Sequence, residues 1–263
     1  MANFCNPTDW GQGRSGTLVS SVIKDCVKDE RVFLTIGCHP HYADRMRGNR
    51  MDQLEMLVTG QSRNLNAKVV ALGECGLDYS KKNIIDKELQ KQVFAAQLKI
   101  ALKHKLPLVL HIRNAEADGY SVLQSAGVPP TWPIHRHCFN GDWPTAATWL
   151  EQYPGSKIGV TGLVTYQDAC SVHQVVRSIP LNRLLLETDA PYFLPAGTDK
   201  SVYPWSCALP GHVIHVAAQV AAIKGVELGT MLEQNLRNVK EIYRVGSGSG
   251  GQVGGRWRLS VQN

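Results

Sequence analysis

The sequence predicts an α/β fold of the parallel, TIM-like β/α barrel type. Short and evenly apolar runs recur along the chain, and longer mixed or amphipathic segments separate them. Acid or imidazole residues stand where several of the runs stop. The 263 residues suit one large domain, and a barrel of this kind takes about 250.

The apolar runs cover residues 2–5, 32–37, 68–73, 107–112, 133–138, 157–160 and 183–187. Half-exposed antiparallel strands would alternate apolar and polar residues. Unbroken short runs instead suit strands buried on both faces, as in a parallel sheet. The segments between them predict helices over residues 15–28, 52–58, 86–104, 144–152, 211–224 and 228–243. The clearest is 86–104, where Leu89, Val93, Phe94, Leu98, Ala101 and Leu102 recur at helical spacing with Lys and Gln between them. Pro144 suits a first helical turn. Strand and helix in alternation imply βαβ units. A dinucleotide fold would need a glycine-rich turn after its first strand, and Gly11-Gln12-Gly13 lacks the third glycine, so it reads as a loop. From residue 245 the composition turns Gly/Ser-rich, with Trp257 beyond it in no periodic pattern. The expected organisation is a barrel domain over residues 1–244 and a disordered tail over 245–263.

Composition narrows the function classes. Hydrophobic content is 43% and charged content 19%, so a sizeable core can be buried. The formal net charge of +6 suits an anionic substrate, although no dense Lys/Arg run forms a patch. The 7 cysteines include no CxxC pair, which excludes zinc-ribbon and thioredoxin readings. Reduced thiols and the absence of a signal-like start imply an intracellular protein, nuclear or cytoplasmic, with no membrane partner. Its oligomeric state is not set by sequence.

The chemistry lies at the strand ends. The runs lead to Glu74, to His111, to His137 and to Glu187-Thr188-Asp189. In a β/α barrel all strand C-termini open on one face, so these residues would converge. One buried histidine is commonly a hydrogen-bonded core residue. A whole set of acids and imidazoles needs a compensating charge, because burying ions without a partner is costly. A shared metal ion supplies it.

Several motifs resemble those of TatD-family deoxyribonucleases, which belong to the amidohydrolase-like metal barrels. They are Gly37-Cys38-His39-Pro40-His41, Gly73-Glu74-Cys75-Gly76-Leu77-Asp78-Tyr79, Leu110-His111-Ile112-Arg113, His137-Cys138-Phe139-Asn140-Gly141 and Glu187-Thr188-Asp189-Ala190-Pro191-Tyr192. The resemblance runs in order over residues 2–243, and the form of residues 134–139 is similar to the animal TatD-domain-containing branch. It implies metal-dependent cleavage of DNA phosphodiester bonds with two divalent ions, Mg²⁺ or Mn²⁺, with Zn²⁺ as the alternative. Glu74 would bridge the ions, and His111 and His137 would complete one shell. Asp189 would bind the other ion and orient the attacking water, so that Glu74 and Asp189 are the catalytic carboxylates. His39 and Arg113 would contact phosphate.

One departure from the family pattern stands out. The family opens on a strand carrying a His-X-His pair that serves the ion held by Asp189, and this sequence reads as starting inside the second strand. One ion site is then expected to be incomplete, and the barrel edge to be open and destabilising or covered by another segment. His39-Pro40-His41 is not the missing pair, because it has its own counterpart in the family, and His41 reads as a loop residue. Two further functions are therefore weighed: a weakly active or inactive form that binds nucleic acid or a protein partner, and a barrel hydrolase of amides or other esters. Cys38, Cys75 and Cys138 read as buried filler, and His212 and His215 as packing or surface residues. Trp143 and Trp205 read as packing residues as readily as base-stacking ones. Asp78 and Tyr79 read equally as pocket-shaping or turn residues.

Overall fold

The computed structural model describes residues 2–10, 21–59, 68–199, 201 and 206–245. Its sheet has seven parallel strands in the order of the chain. They are β1 (Ala2–Phe4), β2 (Leu34–Ile36), β3 (Val69–Asp78), β4 (Leu108–Arg113), β5 (Ile134–Arg136), β6 (Ser156–Val160) and β7 (Leu184–Leu186). Each predicted run holds one strand. The helices are α1 (Ser21–Lys28), α2 (Arg50–Val58), α3 (Lys87–His104), α4 (Glu116–Ser125), α5 (Trp143–Gln152), α6 (Cys170–Ser178), α7 (Val213–Lys224) and α8 (Leu228–Tyr243).

Caps fix several of these boundaries. Asp86 accepts a hydrogen bond from Leu89 N at the start of α3, and Gly225 ends α7 in the left-handed region. Pro144 lies in the first turn of α5, behind the Asp142 cap. α4 and α6 were not foreseen. α4 carries a mid-helix glycine, and its sequence EADGYSVLQS shows only a weak apolar stripe. Gly119 is buried where α4 packs on Ile112 of β4.

The sheet is strongly curled. Neighbouring strands lie about 4.8 Å apart, so a flat sheet would hold β3 and β7 about 19 Å apart. Instead Ala71 and Val109 of β3 and β4 share a small apolar cluster with Leu185 of β7 and with Ile242 and Tyr243 of α8. That cluster fills the inside of the curl. The main core lies outside it, between the strands and the helices. Among the described residues β1 and β7 are the sheet's two edges, so they form an open curl and not a closed ring. No helix among them is long and apolar enough to cross a membrane. Gly11–Gly13, residues 15–20 of the first predicted helix, Trp205 and residues 246–263 of the predicted tail lie outside the described residues.

Candidate metal centre at the strand C-termini

β3 runs past its apolar stretch to Asp78 and carries a bulge. Gly73 pairs with Val109 and Cys75 with Leu110, which leaves Glu74 as the extra residue. A bulge of this kind re-aims a side chain. Gly73 is required there, because its φ is +151° and a Cβ would overlap Val109 of β4.

Glu74 stands at the centre of the site. Its Oε2 lies 3.8 Å from His111 Nδ1 and 3.9 Å from His39 Nε2. Its Oε1 lies 3.4 Å from His137 Nε2 and accepts a hydrogen bond from the Asn3 side-chain amide of β1. Asn3 in turn accepts from Glu74 N at 3.1 Å and from Thr35 Oγ1 at 3.0 Å. On the far side, His137 Nε2 lies 3.2 Å from Asp189 Oδ1. The contacts thus run in a row from His111 to Glu74 to His137 to Asp189; His111 groups with Glu74 and His39, and His137 with Asp189.

Each of the two central histidines is oriented by a carboxylate. Asp78, buried at the end of β3, receives His111 Nε2 at 3.1 Å and His41 Nε2 at 2.9 Å. That leaves His111 Nδ1 turned to Glu74. Glu187, directly after β7, receives His137 Nδ1 at 2.5 Å and Cys138 N at 2.6 Å. That leaves His137 Nε2 turned to Glu74 and Asp189. Carboxylates placed behind metal-ligating imidazoles fix tautomer and ring orientation in this way. His41 is therefore more than the loop residue expected: the short 3₁₀ helix Pro40–Arg45 delivers it to Asp78.

The supporting scaffold comes from α3. Gln97 is fully buried and binds both the N–H and the C=O of Cys38, which fixes the turn that carries His39. Gln90, two helical turns earlier, accepts from Asp78 N at 2.9 Å. At the strand ends Asn114, Cys138 and Asp189 all adopt positive φ, a conformation that L-residues hold only when their surroundings impose it.

Electrostatics separate the groups. Burial, and then the neighbouring His111 and His41 rings, hold His39 well below the usual imidazole range. It is neutral, and its Nδ1 accepts from His41 N at 3.2 Å, so the ring proton sits on Nε2. Burial opposes charge on His137, yet Glu187 and Glu74 beside it raise its pKa well above the usual value. Burial likewise works against the Glu187 carboxylate, but His137 and His135 hold it below the usual carboxylate range. Asp78 is lowered against its burial by hydrogen bonds from His111 and Ser80. Burial pushes the Cys38 thiol up to about 12, and raises Cys75 and Cys138 as well. Cys38 and Cys75 are buried, as filler would be, whereas Cys138 is half-buried beside His137 and Asp189.

The donor chemistry fits a divalent cation. Glu74, Glu187 and Asp189 all approach the one ring of His137. A single imidazolium does not balance three carboxylates in a buried setting. Candidate donor groups, each with ligand atoms within 4.8 Å of one another, are His39–Glu74–His111, His135–His137–Glu187 and His137–Cys138–Asp189. Oxygen and imidazole donors in this mixture suit Mg²⁺, Mn²⁺ or Zn²⁺.

Arg113 lies apart from the cluster, at the end of β4. Among the described residues its guanidinium has no hydrogen-bond or ion-pair partner, and it lines a cavity of about 360 Å³ with Asn140, Tyr166 and Phe193. Tyr192, next to Asp189 in the strand-end loop, is 66% exposed. His212 caps the turn before α7 through its Nδ1, His215 is exposed, and Trp143 packs on the core. Tyr79 donates to Asp118 at 2.6 Å, away from the cluster.

Residues 17–244 match the family model described as TatD related DNase. The human protein named 3'-5' RNA nuclease TATDN2 is 35% identical over 248 residues, covering 92% of this chain and 30% of that protein. The chain thus spans under a third of the length of TATDN2. The 3'-5' ssDNA/RNA exonuclease TatD of Erwinia tasmaniensis is 34% identical over 217 residues, covering 80% of this chain and 78% of that one. Among solved structures, that of YJJV, a TatD homologue from Escherichia coli K12, matches with a TM-score of 0.72 at 26% identity, covering 84% of this chain and 82% of that one.

Proposed function

The chain belongs to the TatD related DNase family, and we propose that it is a divalent-metal-dependent hydrolase cleaving phosphodiester bonds in single-stranded nucleic acid. The reading extends to RNA as well as DNA, because both the human and the Erwinia relatives carry RNA in their names. The observation that supports it most is the placement of Glu74, with one oxygen toward His111 and the other toward His137. Glu74, His111 Nδ1 and His137 Nε2 would hold one divalent ion. Glu74 and Asp189 are the residues available to a second.

Divalent cations bound there supply positive charge against the negative charge that develops on phosphoryl oxygens. The chain's own residues do the rest. Asp189 stands on the open side of His137, where its carboxylate can hold a water and take its proton. Arg113 offers a fork of N–H donors suited to a phosphate. His39, neutral and protonated on Nε2, offers a ring N–H to a phosphate oxygen. The cavity beside Arg113 has room for the flanking nucleotide.

A 5'-labelled single-stranded oligonucleotide, as DNA and as RNA, tests the reading with Mg²⁺ or Mn²⁺. Progressive shortening from the 3' end is expected. Glu74→Ala should lower it at least ~1000-fold, the effect of losing several kcal/mol of charge stabilisation. Shortening that survives this substitution would sink the site.

One observation favours a second reading, binding without turnover. Among the described residues, the donors grouped with Asp189 are His137 and Cys138. A wild-type chain that binds the oligonucleotide with metal present and leaves its length unchanged would select that reading.

A further inference from the structure

Beneath His137, on the same face of β5, stands a second imidazole, His135. It is 6% exposed and projects into the curl of the sheet. Its Nδ1 lies 2.6 Å from the hydroxyl of Tyr243, the last residue of α8. Its Nε2 lies 3.4 Å from Glu187 Oε2, the oxygen that also receives His137 Nδ1. The four side chains form one line from the bottom of the curl to the donor set: Tyr243, His135, Glu187, His137.

Packing alone does not call for this line. Tyr243 packs among Ala71, Val109, Leu185 and Ile242. An imidazole and a phenol placed among them incur a desolvation cost that only their hydrogen bonds offset. β6 also makes room for the line. A Cβ on Gly159 would overlap both Glu187 Oε1 and His135 Nε2.

The hydrogen-bond directions follow from the groups present. Burial, with the nearby carboxylates Glu187 and Glu74, keeps the Tyr243 hydroxyl protonated. It donates to His135 Nδ1, which leaves the His135 proton on Nε2, facing Glu187. His135 Nε2 faces Glu187 Oε2 at 3.4 Å without hydrogen-bonding to it, while Glu187 binds His137 Nδ1 and so turns His137 Nε2 toward Glu74 and Asp189.

We propose that Tyr243 and His135 are positioning residues which, through Glu187, fix the tautomer and orientation of His137 as an ion ligand. This rests on the reading that His137 holds an ion. It assigns the end of the last helix a part in the metal centre at the opposite end of the curl.

Mn²⁺ affinity of the purified chain, measured by titration calorimetry without substrate, tests it. Outer partners of metal ligands are typically worth ~10–100-fold in affinity. Tyr243→Phe removes one hydroxyl and keeps the ring, and should weaken binding ~10-fold. His135→Gln should weaken it at least as much. The double variant should bind no more weakly than His135→Gln alone, because the two residues act in series. Ile242→Val trims the same apolar cluster without touching the line, and should bind as wild type. Four results would overturn the proposal: wild-type affinity in Tyr243→Phe, an equal loss in Ile242→Val, losses that add in the double variant, or loss confined to melting temperature. A wild-type chain that takes up no Mn²⁺ would overturn the ion-site reading together with the proposal. Normal wild-type uptake with a silent Tyr243→Phe would overturn the proposal alone.

Discussion

The two sides of Glu74 are built differently. On the side of β4 and β5, His111 and His137 each have a carboxylate behind the ring, the buried Asp78 for one and the partly buried Glu187 for the other. Those carboxylates are themselves tied down, Asp78 to Ser80 N at 2.8 Å and Glu187 to Cys138 N. Asp189, reached through His137, sits at positive φ in the loop after β7, and Asn3 of β1 meets the same Glu74 oxygen as His137 with an amide and not an imidazole. The first side is a set of donors held in place before any ion arrives. Asp189 and Asn3 offer a carboxylate and a neutral amide. The candidate donors are therefore unequally organised: carboxylates hold the rings of His111 and His137, and the loop after β7 carries Asp189.

This difference can be probed in order of expected effect. Asp189→Asn should lower hydrolysis about 100-fold, the usual range for losing a proton-accepting group. The tightest Mn²⁺ should stay within a few-fold of its wild-type affinity. Loss of that ion in Asp189→Asn would break the distinction between the sides. Glu187→Gln should do the converse and weaken the tight ion by ~10–100-fold. An unchanged Mn²⁺ isotherm for this variant would show that the carboxylate behind His137 is not part of the site's organisation. Gly159→Ala forces a methyl against Glu187 and His135, and should cost ~1–3 kcal/mol in an urea unfolding series. Wild-type stability there would mean that the region is looser than the buried contacts indicate.

The smallest effect lies outside the site. Tyr79 donates to Asp118 and Lys91 pairs with it at 3.2 Å, and together they lower the Asp118 pKa from its ordinary 3.8. A carboxylate lowered on folding contributes stability above its unfolded pKa and loses it as pH falls through the folded value. Asp118→Asn should thus cost less than ~1 kcal/mol near neutral pH, because the group is well exposed and screened. The difference from wild type should vanish in acid below the ordinary carboxylate range. Hydrolysis should be unchanged, which thermal melts across pH and one activity assay would check.

Much of the fold was legible because strands buried on both faces read as unbroken apolar runs, and each run from residue 2 to residue 187 holds a strand. The bulge at Glu74 was not, because Gly-Glu-Cys-Gly-Leu-Asp breaks the apolar pattern and ends the run early. α4 was hidden by its glycine, whose place is explained only by the close approach to Ile112. In the site, strand-end positions pointed to Glu74, His111, His137 and the Glu187-Thr188-Asp189 stretch, and the resemblance to the family singled out Asp189. Glu187 was passed over because it stands two residues before an acid already given a role. Its partly buried environment, which makes it an orienting group, exists only once β5 and β7 are curled together. His135 left a readable signal: residues i and i+2 of a strand share a face, so His135 had to project on the same side as His137. The partner it finds, Tyr243, is more than a hundred positions away, and no local pattern announces that pairing.

A Mn²⁺ titration of the purified chain, counted per polypeptide, bears most directly on the unequal sides of Glu74. One tight ion per chain is expected, lost in Glu74→Ala, with any second ion at least ~10-fold weaker, the scale of what an orienting carboxylate contributes. Two ions of equal affinity would contradict that inequality.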